Sequence, residues 1–262
     1  MKRIIFLFCT LSYLLSASSQ DVRKEYLLDD NWKFTKGDHS EAFNINFDDS
    51  KWELVNVPHD WAIYGPFDRK HDLQTVAITQ NSESIATEKT GRTGGLPYMG
   101  VGWYRKFFDV ESFDLNKKRV TLLFDGAMSE ANIHINGKKV YFWPYGYNSF
   151  FCDISDFLNP DGKNNLLAVR LENKEQSSRW YPGAGLYRNV HVIVTEKVHV
   201  PVWGTNITTP YVSDEFASIN LKMNLEGLDR GQGVKIKTRI LNKNNKVLAE
   251  RESSISQAAI NT

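Results

Sequence analysis

The residues most able to do chemistry in this sequence are its carboxylates, its histidines and its 2 cysteines. Paired acids occur at Asp29-Asp30 and Asp48-Asp49. Two carboxyl groups can act as general acid and base, but neighbours on an extended chain point to opposite faces. Both pairs therefore read as solvated turns. The 6 histidines are scattered without metal-ligand spacing. No phosphate-cradling Gly-x-x-x-x-Gly-Lys, His-Glu-x-x-His, Cys-x-x-Cys or Gly-x-Ser-x-Gly segment occurs. The local patterns thus exclude the common nucleotide, zinc, redox and serine-nucleophile chemistries.

Charge and composition narrow the partners. The 262 residues carry 32 basic and 31 acidic side chains, with no basic block. That balance provides no field for nucleic acid or an anionic membrane surface and suits a neutral ligand. The 15 Phe, 11 Tyr and 7 Trp fit a β-sandwich core and a carbohydrate-binding surface.

The first residues have the form of an export signal. Lys2 and Arg3 precede the apolar run Ile4 to Leu15, which ends at the small residues Ser16-Ala17-Ser18-Ser19. A run of about twelve residues is shorter than the ~20 that span a bilayer, so the expectation is a cleaved signal over residues 1–19, no membrane span, and a periplasmic or secreted protein. Cys152 is then the sole cysteine, and stability must come from a core rather than an intrachain disulfide.

Beyond the signal, short β-branched and aromatic runs separated by turn residues predict an all-β chain. The clearest hairpin alternates Ala131, Ile133 and Ile135 with polar residues, turns at Asn136-Gly137, and returns over Lys138 to Phe142. Strands are also predicted over Gly102 to Val110, Arg119 to Phe124, Asn165 to Glu172 and Tyr187 to Thr195. Between about Asp68 and Gly95 the chain is polar and reads as a long loop, either a disordered excursion or one that reaches a binding site. After Lys197 the composition shifts. Strands over Val198 to Thr208, Phe216 to Leu225, Val234 to Leu241 and Lys246 to Glu250 predict a second domain, which at about 65 residues falls short of the ~100 of an immunoglobulin-like sandwich. The expected organisation is a sandwich or jelly roll over 20–197 and an incomplete domain over 198–262.

Six phrases recur in one order: Val57-Pro58-His59-Asp60-Trp61, Gly102-Trp103-Tyr104-Arg105-Lys106, Phe124-Asp125-Gly126-Ala127 leading to Ile135-Asn136-Gly137, Gly146-Tyr147 with Asp153-Ile154, Asn165 to Arg170, and Arg179-Trp180-Tyr181-Pro182-Gly183-Ala184-Gly185-Leu186-Tyr187-Arg188. Together they resemble family 2 glycoside hydrolases, above all exported bacterial β-galactosidases. The resemblance implies a jelly-roll (galactose-binding-domain-like) sugar-binding domain, a partial immunoglobulin-like β-sandwich after it, and a catalytic (β/α)₈ barrel beyond. It implies a β-linked glycan or oligosaccharide as substrate and no cofactor.

In a retaining glycosidase two carboxyl groups sit ~5 Å apart. In this family both belong to the barrel, and the acid/base glutamate follows an asparagine. No Asn-Glu pair is present here, so the chain alone is expected to be inactive. The resemblance offers Arg179 as a substrate-binding residue, because the segment before the glycine-containing bend projects towards the barrel. Well-known relatives hold an aspartate at the comparable position. Asp60, with His59 beside it, is the second substrate-binding candidate, since their phrase precedes the long loop, and burial as a turn or hydrogen-bonding anchor is the alternative role of Asp60. Trp180 and Tyr187 are expected to pack. A free-standing secreted carbohydrate-binding module is the competing expectation.

Overall fold

The structure, a computed structural model, describes residues 23–68, 70–71, 74–89, 98, 100–111, 113–174 and 183–256. The expected signal segment, Arg179 and Trp180 lie outside the described residues. In chain order the strands are β1 (Arg23–Leu27), β2 (Trp32–Lys36), β3 (Glu53–Val55), β4 (Gln74–Val76), β5 (Thr87–Lys89), β6 (Gly100–Phe108), β7 (Lys118–Phe124) and β8 (Ala131–Ile135). They continue with β9 (Lys138–Trp143), β10 (Phe150–Asp153), β11 (Asn165–Asn173), β12 (Val190–Glu196), β13 (Thr205–Val212), β14 (Ala217–Met223), β15 (Gly233–Leu241) and β16 (Val247–Ser256). No helix among the described residues is long and apolar enough to cross a membrane.

A four-stranded sheet ordered β1-β12-β7-β10 faces a six-stranded sheet ordered β3-β2-β6-β11-β8-β9. Pairing in both is antiparallel. The chain crosses repeatedly between the two, so the all-β jelly-roll sandwich is what its alternation builds. Val120, Leu122 and Phe124 of β7 and Val190, Val192 and Val194 of β12 point inwards, against Trp32, Phe34, Tyr104, Ile133, Leu167 and Val169 of the other sheet. Side chains two apart share a face, which is why this spacing fills one interior.

The Asn136-Gly137 turn has φ of 50° and 84°, the pair of positive angles that a type I′ turn needs. Asn136 also does more than turn. Its Nδ2 donates to Asn165 Oδ1 and to Phe157 O, each at 2.9 Å, and its Oδ1 accepts from Leu166 N at 2.8 Å. The turn is thereby tied to the start of β11. After β10 a 3₁₀ turn over Ser155–Phe157 follows the buried Ile154, and Ser155 Oγ accepts the Val120 amide at 2.8 Å.

Three features depart from the sequence reading. Asp49 is not a solvated turn acid: its carboxylate pairs at 2.7 Å with Arg105 Nε, and Arg105 is buried on the outer face of the six-stranded sheet. Arg105 NH1 also donates to Ala42 O and Asn44 O, so one guanidinium pins the 42–49 segment over the sheet. Trp103, Ala42 and Ala168 form a small second core beneath that cover. The polar stretch from Asp68 holds a short hairpin, β4 with β5, steadied by a Lys89–Glu83 ion pair. The strand expected from Val198 begins only at Thr205. A turn in which Gly204 N donates to Pro201 O at 2.9 Å, with Trp203 at φ 57°, interrupts the earlier residues.

Beyond Lys197 the described chain forms two separate hairpins, β13 with β14 and β15 with β16. Every residue of β13 is exposed.

Candidate functional site

At one end of the sandwich the loop 57–65 meets the segment Gly183 to Tyr187, and backbone pairing joins them. His59 N donates to Leu186 O at 2.7 Å and Trp61 N to Ala184 O at 3.0 Å. On the other side of the same segment, Met128 and Gly185 exchange both amide bonds, at 3.0 and 3.1 Å. The glycine-containing bend is therefore a short central strand between two flanking loops. Asn173, itself buried, closes its start by donating from Nδ2 to Gly183 O at 2.8 Å.

Only glycine fits the middle of this arrangement. Gly185 has φ of +115°, and a Cβ there would stand 2.4 Å from His59 O and 2.5 Å from the Tyr104 hydroxyl. The close approach expected of this bend is thus met by backbone on one side and a buried tyrosine on the other. Tyr187 packs in the same manner: its ring lies where a Gly126 side chain would be, and its hydroxyl donates to Gly146 O at 2.7 Å.

Asp60 is the hinge of the contact. Its Oδ1 accepts from Ala62 N at 3.0 Å, closing its own turn, and from Ala184 N at 3.1 Å, reaching across to the bend. An aspartate serves here because one short carboxylate can accept both amides. The structure thus places one expected site residue, Asp60, on the bend that follows the other. Arg179 lies outside the described residues, so their separation is not among the geometry here.

Below Asp60, the loop and the β2–β3 edge enclose a cleft of about 490 Å³ lined by Phe34, Lys36, Glu53, Val55, His59, Trp61 and Tyr64 among others. Phe34 and Trp61 stack at 5.5 Å between ring centroids and form an apolar floor. His59 Nδ1 and the Tyr104 hydroxyl share a 2.7 Å hydrogen bond. Burial pushes the His59 imidazole below its ordinary value, which favours the neutral ring. Burial likewise pushes the Tyr104 phenol well up. Lys36 Nζ donates to Gly65 O at 2.6 Å and stands 5.6 Å from the Tyr98 ring, and burial lowers its pKa.

The sequence reading missed Lys36, Glu53, Asn56 and Tyr64 as lining residues. Glu53 and Val55 share one face of β3, with Leu54 outward between them, and that alternation over three residues was the available signal. Cys152 offers no nucleophile: burial pushes its thiol up to about 12. Among the described residues no three His, Cys, Asp or Glu side chains gather as a metal site.

This fold is that of a known class. The family profile described as "Glycosyl hydrolases family 2, sugar binding domain" matches residues 26–196, and the chain belongs to that family. It is 36% identical over 248 residues to the β-galactosidase BoGH2A of Bacteroides ovatus, an alignment that covers 94% of this chain and 26% of that protein. The solved structure of a glycosyl hydrolase family 2 member from Bacteroides cellulosilyticus matches with a TM-score of 0.75 at 32% identity, over 88% of this chain and 28% of that one. A β-glucuronidase structure from Bacteroides uniformis matches with a TM-score of 0.72 at 26% identity, over 89% and 26% of the two chains. The chain thus spans about a quarter of the length of these relatives and corresponds to the N-terminal part of family 2 glycosidases.

Proposed function

We propose that this chain is the non-catalytic N-terminal part of an exported family 2 enzyme that hydrolyses terminal β-D-galactosides with retention. In this reading residues 20–197 are the sugar-binding domain, residues 198–262 begin an immunoglobulin-like domain, and the carboxyl pair comes from a (β/α)₈ barrel in a longer protein. The observation that carries it is the family match over 26–196 in relatives about four times as long. What favours galactose over glucuronate is the 36% identity to the B. ovatus β-galactosidase, against 31% to a putative β-glucuronidase of Formosa agariphila. Arg179 meets the substrate, and Asp60 serves it by fixing the bend at Ala184.

The test is steady-state turnover by the longer protein of paired chromogenic substrates, a β-galactoside and a β-glucuronide. A kcat/KM higher for the galactoside is expected, and the reverse order would overturn the sugar assignment. Arg179→Ala should lower kcat/KM by about tenfold or more, equivalent to ~1.4 kcal/mol, without shifting the unfolding midpoint. An unchanged kcat/KM would remove Arg179 from the site.

A further inference from the structure

We propose that His191 is a pH-operated latch for the first strand: its charged ring ties Glu25 of β1 to Asp125 just after β7, and loss of that charge loosens β1 and the turn that follows it. The inference involves no substrate and stands whatever sugar the enzyme takes.

Strand register brings the three groups together. His191 of β12 stands opposite Leu27 of β1 on one side and opposite Leu123 of β7 on the other. Glu25 and Asp125 lie two residues along from those partners, on the same face and diagonal to the ring, within reach of long side chains. Val190 and Val192 turn into the core, so His191 points away from it. Its Nε2 and Asp125 Oδ2 form a 3.0 Å hydrogen bond, and its Nδ1 stands 2.9 Å from Glu25 Oε1. The second contact is an ion pair out of line for a hydrogen bond, and Nδ1 is shut from solvent.

A neutral imidazole does not suit this position. It has one N–H and one lone pair, and a lone pair turned to a carboxylate is repelled, whereas the imidazolium has an N–H at both nitrogens. Among the described residues no Lys or Arg pairs with Glu25 or Asp125 in its stead. Asp29 adds a third carboxyl. Its Oδ1 is shut from solvent without a hydrogen-bond partner, unlike the solvated turn acid expected from sequence. Burial pushes the Asp29 carboxyl up, the neighbouring His191 pulls it down, and Asp30 beside it pushes it up. The Asp30 carbonyl in turn accepts from Lys106 Nζ. The groups set against His191 are thus Glu25, Asp29 and Asp125, all acids.

Little besides this latch secures β1. All five of its residues are exposed, and β12 is its one neighbour in the sheet. The turn after it reaches the candidate site. Leu28 N donates to Val190 O at 2.8 Å, Val57 N donates to Asp29 O at 2.7 Å, and Asn31 N donates to Asn56 Oδ1 at 3.1 Å. Val57 opens the loop that carries Asp60, so slackening of β1 is transmitted to that loop. The double contact exists only while His191 is charged. It is present in acid and lost as pH rises through the range in which imidazoles discharge, about pH 5 to 8.

The test is amide hydrogen exchange of the 262-residue chain, read by NMR at about pH 5.5 and about pH 8 and corrected for intrinsic rates. Protection at Leu28 and Val57 should be lower at the higher pH by about fivefold, while Val169 in the core shows no such fall. His191→Gln, uncharged throughout, should show the low protection at both pH values. Glu25→Gln should shrink the pH effect and leave the urea midpoint unchanged, because Glu25 is 46% exposed, and it decides the matter if His191→Gln does not fold. Equal protection of the parent at the two pH values, a fall at Val169 as large as at Leu28, or a pH effect that survives Glu25→Gln in full would overturn the latch.

Discussion

The sandwich and the two C-terminal hairpins are written in the same alternating pattern, yet only one of them buries anything. β8 alternates Ala131, Ile133 and Ile135 with polar residues, and all three are fully buried. β15 alternates Val234, Ile236, Thr238 and Ile240 with outward residues just as regularly, and none is buried. Ile207 of β13 and Leu248 of β16 are 64% and 63% exposed. The difference is a facing sheet. In the sandwich each inward row meets a second row, whereas each hairpin meets little but solvent, and a two-stranded ribbon is marginal in water. Between the hairpins lies a mostly apolar gap of about 800 Å³ lined by Ile207, Ile219, Leu221 and Ile240, among others. Alternation therefore specifies which face wants burial, and topology decides whether it is granted.

The comparison can be broken most forcefully by truncating one aromatic in each region. Phe124 stacks on Phe150 at 4.8 Å inside the core, and Phe124→Ala should cost about 3–5 kcal/mol of unfolding free energy. Phe216 stacks on Tyr211 at 4.7 Å on an exposed hairpin, and Phe216→Ala should change stability by about 0.5 kcal/mol. Urea unfolding of the two variants reads both values, and equal losses would contradict the contrast.

Glycines give the next effect. Gly185 at φ +115° is crowded by His59 O and the Tyr104 hydroxyl, whereas Gly231 at φ +81° has nothing within 4 Å of where a Cβ would stand. Gly185→Ala combines strain with collision and should cost about 3 kcal/mol. Gly231→Ala pays the backbone term alone, about 1 kcal/mol. Asp49→Ala, which strips the carboxylate from the buried Arg105, should cost about 1.5–3 kcal/mol in the same assay. A loss near zero would mean that the carbonyls of Ala42, Asn44 and Ile45 around Arg105 suffice.

Acid should weaken the sandwich through His59 and His134, whose imidazoles burial pushes below 6.5. The unfolded chain binds the proton that the folded rings resist. The stabilisation is therefore whole above about pH 6.5 and declines as pH falls through the lowered folded values. His59→Gln should flatten the fall in urea midpoint between about pH 7 and pH 5. A slope unchanged by the variant would assign acid sensitivity to other groups.

Much of the sandwich was legible because its strands are rich in β-branched and aromatic residues. β7 and β8 carry their burial in local alternation, β11 is an almost continuous apolar run, and Asn136-Gly137 marks its turn chemically. The first strands were not, since β2 spends two of its five residues on lysine and β3 is only three residues long. Arg105 was invisible as a buried residue because nothing local distinguishes a guanidinium that will be capped by carbonyls 60 residues away. For the candidate site, sequence singled out Asp60 but not its partner. The bond to Ala184 joins residues 124 apart, a pairing set by the order of strands rather than by any neighbouring residue. The cleft was missed for the same reason, because Lys36, Glu53 and His59 converge only once β2, β3 and the 57–65 loop are packed.

The central claim is that this sandwich shapes an active site whose carboxylates lie elsewhere. It is tested most directly by assaying the purified 262-residue chain beside the longer protein proposed to contain it, on a chromogenic β-galactoside at equal molar concentration. The account predicts turnover by the longer protein with retention at the anomeric carbon, and none above the uncatalysed rate by the chain alone. Turnover by the chain alone would contradict it.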